Sequence, residues 1–213
     1  LCDTLQSLIE KEKISADSRV CFVDDGSTDK TWSLIADQTS RNGLVSGIKL
    51  SRNYGHQAAI LAGLLTAPGD AIITADADLQ DDLAAISDMV DAHRNGAEIV
   101  YGVRASRQTD TFFKRWTAET YYRVLQRLGV DIVFNHADYR LLGRRALNSL
   151  AEYSETNIFL RGIVPHLGLP TAKVYYDRLE RAAGTAKFTP SKSLAMAWDG
   201  ISSFSAAPLR FIT

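Results

Sequence analysis

Val20-Cys21-Phe22-Val23-Asp24-Asp25-Gly26-Ser27-Thr28-Asp29 and Ala71-Ile72-Ile73-Thr74-Ala75-Asp76-Ala77-Asp78-Leu79-Gln80 decide the fold. Each is a short apolar run, rich in β-branched or aromatic side chains, that ends in an acidic turn. Such runs read as buried strands, and the segments between them carry helical spacing. Leu5, Leu8 and Ile9 form a first helical stripe, and Trp32, Ile35 and Ala36 form a second. Val45 to Leu50 reads as a strand, 57–65 as an apolar helix, 83–94 as a helix and 98–103 as a strand. A long helix through Phe112, Phe113, Trp116, Val124, Leu125 and Leu128 follows the basic loop 104–110. Short helices to about Gly168, a strand over 172–178 and an amphipathic stretch at 191–205 complete the chain. Alternation of this kind predicts an α/β domain, Rossmann-like, with a mostly parallel sheet flanked by helices.

Composition agrees with one globular unit. The chain has 213 residues, 46% hydrophobic and 23% charged, which excludes a disordered or collagen-like polymer. It is long enough to bury a core without metal or disulfide staples. Two cysteines, Cys2 and Cys21, do not make a disulfide framework or a zinc spacing. No apolar run approaches the roughly 18 residues of a membrane span. The net charge of −1 hides an asymmetry, with sixteen acidic and eight basic side chains in residues 1–100 against nine and sixteen in 101–213. That division suits a site with a cation on the acidic half and phosphate on the basic half.

The acidic turns are where chemistry is expected. In an open α/β sheet ligands bind outside the carboxyl ends of strands, so Asp24 and Asp25 can share a crevice with Asp76 and Asp78. Carboxylates two residues apart at a strand end can reach one hard cation together with a diphosphate. A single acidic turn of this kind is more often an Asx-turn or helix cap. Two of them, with Gln80 beyond the second, favour a site. Of the four histidines, His56 and His136 are placed to line such a pocket, and His93 and His166 read as surface or core.

These motifs resemble the family 2 glycosyltransferases of GT-A fold. The likeness rests on 23–29, Ser51-Arg52-Asn53-Tyr54-Gly55, 76–81, Tyr101-Gly102-Val103-Arg104, Asp138-Tyr139-Arg140-Leu141, Arg161-Gly162, Tyr176-Asp177-Arg178, 181–188 and 199–205. Within the family the chain looks like the branch that transfers a sugar to polyprenyl phosphate, as dolichol-phosphate mannose synthases and bactoprenol glucosyltransferases do. The resemblance implies an inverting, metal-dependent enzyme with Mg²⁺ or Mn²⁺, a UDP- or GDP-sugar donor and an undecaprenyl or dolichyl phosphate acceptor. It gives Asp24 and Asp25 to the nucleoside, Asp76 to the ribose, diphosphate or metal, and Asp78 with Gln80 to the metal. Arg178, Arg181 and Lys187 would bind the nucleotide-sugar, and Arg104 and Arg115 the acceptor phosphate. Asp138 falls where the family places a catalytic base; it could act as that base, orient the sugar, or pair with Arg140.

The aromatic stripe at Phe112, Phe113 and Trp116 is either helix core or, beside Lys114 and Arg115, a membrane-facing surface. A saccharide hydroxyl remains the alternative acceptor. A receiver-type phosphate module is disfavoured by the length and the motif order. The resemblance further implies a catalytic domain over 1–170 and a C-terminal strand and membrane-proximal segment over 171–213. The enzyme would work at the cytoplasmic face of the cell membrane, with no nucleic-acid partner; a homo-oligomer is allowed. The sequence starts just after the place of the family's opening strand and its Pro-x-Tyr-Asn-Glu turn, so an N-terminal truncation is expected, and the strands at 20–23 and 71–74 are expected not to pair directly. Transmembrane helices are expected after Thr213, and Asp81-Asp82-Leu83 replaces the family's Asp-Pro-Pro.

Overall fold

The computed structural model describes residues 1–78, 80–105, 136–153 and 160–177. The elements in chain order are α1 (Cys2–Glu10), β1 (Val20–Asp24), α2 (Thr31–Arg41), β2 (Val45–Lys49), α3 (His56–Thr66) and β3 (Ala71–Thr74). There follow α4 (Ala85–Arg94), β4 (Ile99–Arg104), β5 (His136–Gly143), α5 (Arg144–Ala151), α6 (Leu160–His166) and β6 (Thr171–Tyr176). The predicted elements through β4 appear within a few residues of their expected bounds. The predicted helix through Phe112 and Leu128 and the stretch 191–205 lie outside the described residues.

The strands form two sheets. β1 and β2 are parallel, with Val20 opposite Val45 and Asp24 opposite Lys49. The second sheet has the order β3-β5-β4-β6. β1 and β3, the two strands that lead into acidic turns, are not paired with each other, as expected.

One element departs from the sequence reading. The segment around Asp138-Tyr139-Arg140-Leu141-Leu142 is a strand, β5, lying between β3 and β4 and antiparallel to both. The α/β class holds, but the four-stranded sheet is mixed, because β5 is inserted against the direction of β3 and β4. Period-2 reading misses it for a physical reason. His136-Ala137-Asp138-Tyr139-Arg140-Leu141 does alternate, but both faces of this sheet are covered and Asp138 and Arg140 are buried like Tyr139 and Leu141, so the alternation marks no solvent face. Tyr139 and Leu141 pack on one face with Met89, Val90 and Val100. Leu142 packs on the other with Ile99, Tyr101, Leu147 and Ile163. Helix α4 covers the first face, and α3, α5 and α6 supply the second through Leu64, Leu150 and Leu160. β6 pairs with β4 from Thr171 to Tyr176, so the sheet continues past residue 170.

The start of α4 shows how the missing prolines are replaced. The Asp82 carboxylate accepts the Ala84 N–H at 2.9 Å, and its carbonyl accepts the Ala85 N–H. An Asx-type turn thus begins the helix where Pro would otherwise preset the backbone. No helix among the described residues is long and apolar enough to cross a membrane.

Candidate active site

Asp25 is the first organiser of the crevice. Its two oxygens accept the backbone N–H groups of Tyr54 (2.7 Å) and Gly55 (2.9 Å). The 51–55 loop is thereby tied to the β1 turn. Gly55 has φ +94°, a left-handed conformation that favours glycine, and α3 begins at the next residue. Asp24 lies buried below, accepting the Ser27 N–H at 3.3 Å. The resemblance gives both aspartates to the nucleoside; in this structure each also bonds the backbone of the turn or loop beside it.

His56, the first residue of α3, connects this loop to the second acidic turn. Its Nε2 lies 3.1 Å from Asp138 Oδ2 and 3.8 Å from Asp76 Oδ1. His56 thus links the loop held by Asp25 to Asp76, just past β3, and to Asp138, near the start of β5. Hydrogen bonding to Asp138 raises the imidazole above its ordinary value, and this outweighs its partial burial.

Asp138 sits at the centre and is 4% exposed. Arg140 Nη2 donates to its Oδ1 at 2.5 Å, Arg161 Nη2 to Oδ2 at 2.9 Å, and Arg161 Nε to Oδ1 at 3.2 Å. Its backbone carbonyl accepts the Thr74 hydroxyl, which ties β5 to the end of β3. Burial alone would raise this carboxyl, but His56, Arg161 and Arg140 together hold it well below the usual carboxylate range. A carboxylate so held is a weak proton acceptor.

Asp76 is shifted the other way. Burial raises it, His56 opposes the shift, and the carboxylates of Asp138, Asp81 and Asp78 add to it. Four carboxylates around one turn make a region that favours a cation. Asp78 Oδ1 accepts the Gln80 N–H at 3.2 Å, so the turn is itself an Asx-turn. Among the described residues no three His, Cys, Asp or Glu side chains converge on one metal position. Magnesium commonly binds through one or two carboxylates, with substrate phosphates and water completing the shell. Asp76 and Asp78 fit that pattern, and not a closed protein cage.

Arg104, at the end of β4, is the one predicted acceptor-phosphate residue within the described structure. It is 29% exposed, with Nη2 3.5 Å from Asp81 Oδ1 and Nε 3.4 Å from the Tyr176 hydroxyl. Arg115, Arg178, Arg181 and Lys187 lie outside the described residues. Sequence reasoning gave no role to Arg161, Asp81 or Tyr176. The partners of these side chains are 23 to 95 residues away, so no local pattern marks them.

The comparisons agree with this architecture. Residues 1–151 match the model of glycosyl transferase family 2. The uncharacterized glycosyltransferase YkoT of Bacillus subtilis is 52% identical over 215 residues, covering 100% of this chain and 64% of that protein. The bactoprenol glucosyl transferase of Shigella phage SfV is 38% identical over 195 residues, covering 91% and 64%. The prophage bactoprenol glucosyl transferase homolog of Escherichia coli K12 is 38% identical over 204 residues, covering 95% and 67%. The chain thus spans about two thirds of the length of these relatives. With an α/β fold and a family match over residues 1–151, the chain belongs to glycosyl transferase family 2.

Proposed function

We propose that this chain is the catalytic part of an inverting glycosyltransferase that moves a sugar from a nucleotide-sugar to a polyprenyl phosphate. The state of Asp138 carries the choice of acceptor. A hydroxyl acceptor needs a base to remove its proton, and a carboxylate paired with His56, Arg140 and Arg161 serves that need poorly. A phosphate acceptor is already anionic near neutral pH and needs no base. The names of the phage and prophage relatives support the same acceptor class.

In this reading the acceptor's phosphate oxygen attacks the anomeric carbon from the face opposite the leaving group. The new carbon–oxygen bond forms as the bond to the diphosphate breaks, and its electron pair leaves with the nucleoside diphosphate. No proton moves. Asp78, with Asp76 and Gln80, would hold Mg²⁺ or Mn²⁺, which when bound neutralises charge on the leaving diphosphate. Arg104 would orient the acceptor's phosphate through its guanidinium fork. Asp138 would fix Arg161 and His56 at the crevice. Nucleotide contacts from Asp24, Asp25, Arg178, Arg181 and Lys187, and a second phosphate contact from Arg115, belong to the same proposal. So does action at the cytoplasmic membrane face, where a lipid acceptor would be met.

The test is turnover of a panel of UDP- and GDP-sugars with a short polyprenyl phosphate, the matching polyprenol, or a free saccharide, with and without Mg²⁺ or Mn²⁺. Transfer to the phosphate alone is expected. Transfer to the saccharide but not the phosphate would overturn the reading.

A further inference from the structure

Asp81 is 3% exposed, yet one of its oxygens, Oδ2, has no hydrogen-bond partner among the described residues. The other, Oδ1, accepts the Tyr176 hydroxyl at 2.5 Å, a short charge-assisted contact. The Arg104 guanidinium stands 3.5 Å from that same oxygen, at the outer limit of a hydrogen bond, and remains partly exposed. Tyr176 is held in place by an edge-to-face contact with Tyr139, centroids 5.2 Å apart. The Tyr139 hydroxyl donates in turn to the Asp82 carbonyl at 3.0 Å. Burial and the bond to Asp81 both push the Tyr176 phenol up, against Arg104, so it stays a donor at neutral pH.

A buried carboxylate needs a partner, and two candidates compete for this one. If the guanidinium were the sole partner, turning it outward would strand Asp81 in the core. Because the phenol keeps its short bond to Oδ1, the guanidinium on turning outward gives up only two long contacts, 3.5 Å to Asp81 and 3.4 Å to the phenol oxygen. We propose that Tyr176 is a positioning residue for anion capture: by holding Asp81 Oδ1 it leaves Arg104 able to turn onto the acceptor's phosphate. This rests on the reading of Arg104 as an acceptor-phosphate contact. It also joins acceptor binding to the donor side, since Asp81 directly follows the 76–80 turn.

The experiment measures acceptor and donor KM separately for the purified enzyme, using a short polyprenyl phosphate in detergent micelles. Tyr176→Phe keeps the ring and removes the hydroxyl. It should raise the acceptor KM roughly 10-fold, the scale of one charge-assisted hydrogen bond, and leave the donor KM unchanged. Asp81→Asn in the same background removes the charge that retains Arg104 and should return the acceptor KM toward wild type. Asp81→Asn alone should leave it at or below wild type, which keeps the proposal testable if Tyr176→Phe does not fold. An unchanged acceptor KM in Tyr176→Phe, or a raised one in Asp81→Asn, overturns the proposal. Arg104→Ala separates the two levels. If it raises the acceptor KM while Tyr176→Phe does not, only the clamp is wrong. If neither variant moves it, the assignment of Arg104 to the acceptor fails as well.

Discussion

Arg161 of α6 grips Asp138 of β5 with two donors, Nη2 at 2.9 Å from Oδ2 and Nε at 3.2 Å from Oδ1. Arg140, one strand position beyond Tyr139, holds the same carboxylate from inside the core, where it is 1% exposed. One carboxylate therefore balances a buried arginine and a half-exposed one. It gives the buried Arg140 its countercharge and also bonds Arg161 and His56.

Asp138→Asn removes that balance and leaves Arg140 buried beside a neutral amide. Removing one partner of a buried ion pair costs about 3–5 kcal/mol. Urea unfolding of the variant should show a loss on that scale, alongside loss of turnover. Stability within about 1 kcal/mol of wild type, the range of an ordinary surface exchange, would show that Arg140 is balanced by other groups.

The same carboxylate sets an acid limit. Its folded-state pKa is depressed by His56, Arg161 and Arg140, against its burial. Such a group contributes stability above its unfolded pKa of about 3.9 and loses it as pH falls toward the folded value. The stability gap between wild type and Asp138→Asn should thus widen as pH falls from about 8 to about 5, as His56 takes up its proton beside the carboxylate, and narrow below about pH 4. Paired unfolding curves across this range check it; a gap that closes between neutrality and about pH 5 contradicts the geometry.

Gly26 has φ +66°, and a Cβ there would stand 2.3 Å from the Arg52 carbonyl carbon and 2.5 Å from the Asn53 nitrogen. Both are backbone atoms, so neither can swing aside. Gly26→Ala should separate the β1 turn from the 51–55 loop and weaken the Asp25 contacts to Tyr54 and Gly55. The expected result is destabilisation of about 2 kcal/mol or more, with weaker nucleotide binding by calorimetry. An alanine variant that binds and melts like wild type would mean that this turn is not held as described.

Asp78→Asn keeps the shape of the turn, since the amide oxygen can still accept the Gln80 N–H. It removes one charge from the proposed cation site. Metal-dependent turnover should fall roughly 10²-fold or more, as when one key electrostatic group is lost from an active site. Thermal stability should be nearly unchanged. Full turnover with Mg²⁺ or Mn²⁺ present would remove Asp78 from the metal.

The sequence by itself determined the strands that carry the acidic turns. Val20 to Asp24 and Ala71 to Thr74 are apolar runs with turn residues after them, and local pattern suffices to place them. It also determined the family, because the acidic, Ser-Arg-Asn and Tyr-Gly-Val-Arg motifs stand in a recognisable order. Only tertiary structure decided that His136–Gly143 is an internal antiparallel strand, since its charged positions Asp138 and Arg140 are buried with its apolar ones and expose no solvent face. Only tertiary structure decided what Asp138 is. Its neighbours Arg161 and His56 come from 23 and 82 residues away, and with Arg140 they hold its carboxyl well below the usual range. The same holds for Asp81 and Tyr176, joined across 95 residues. A motif specifies which groups are present; the packing that surrounds a carboxylate sets its charge, its basicity and the side chains it can hold.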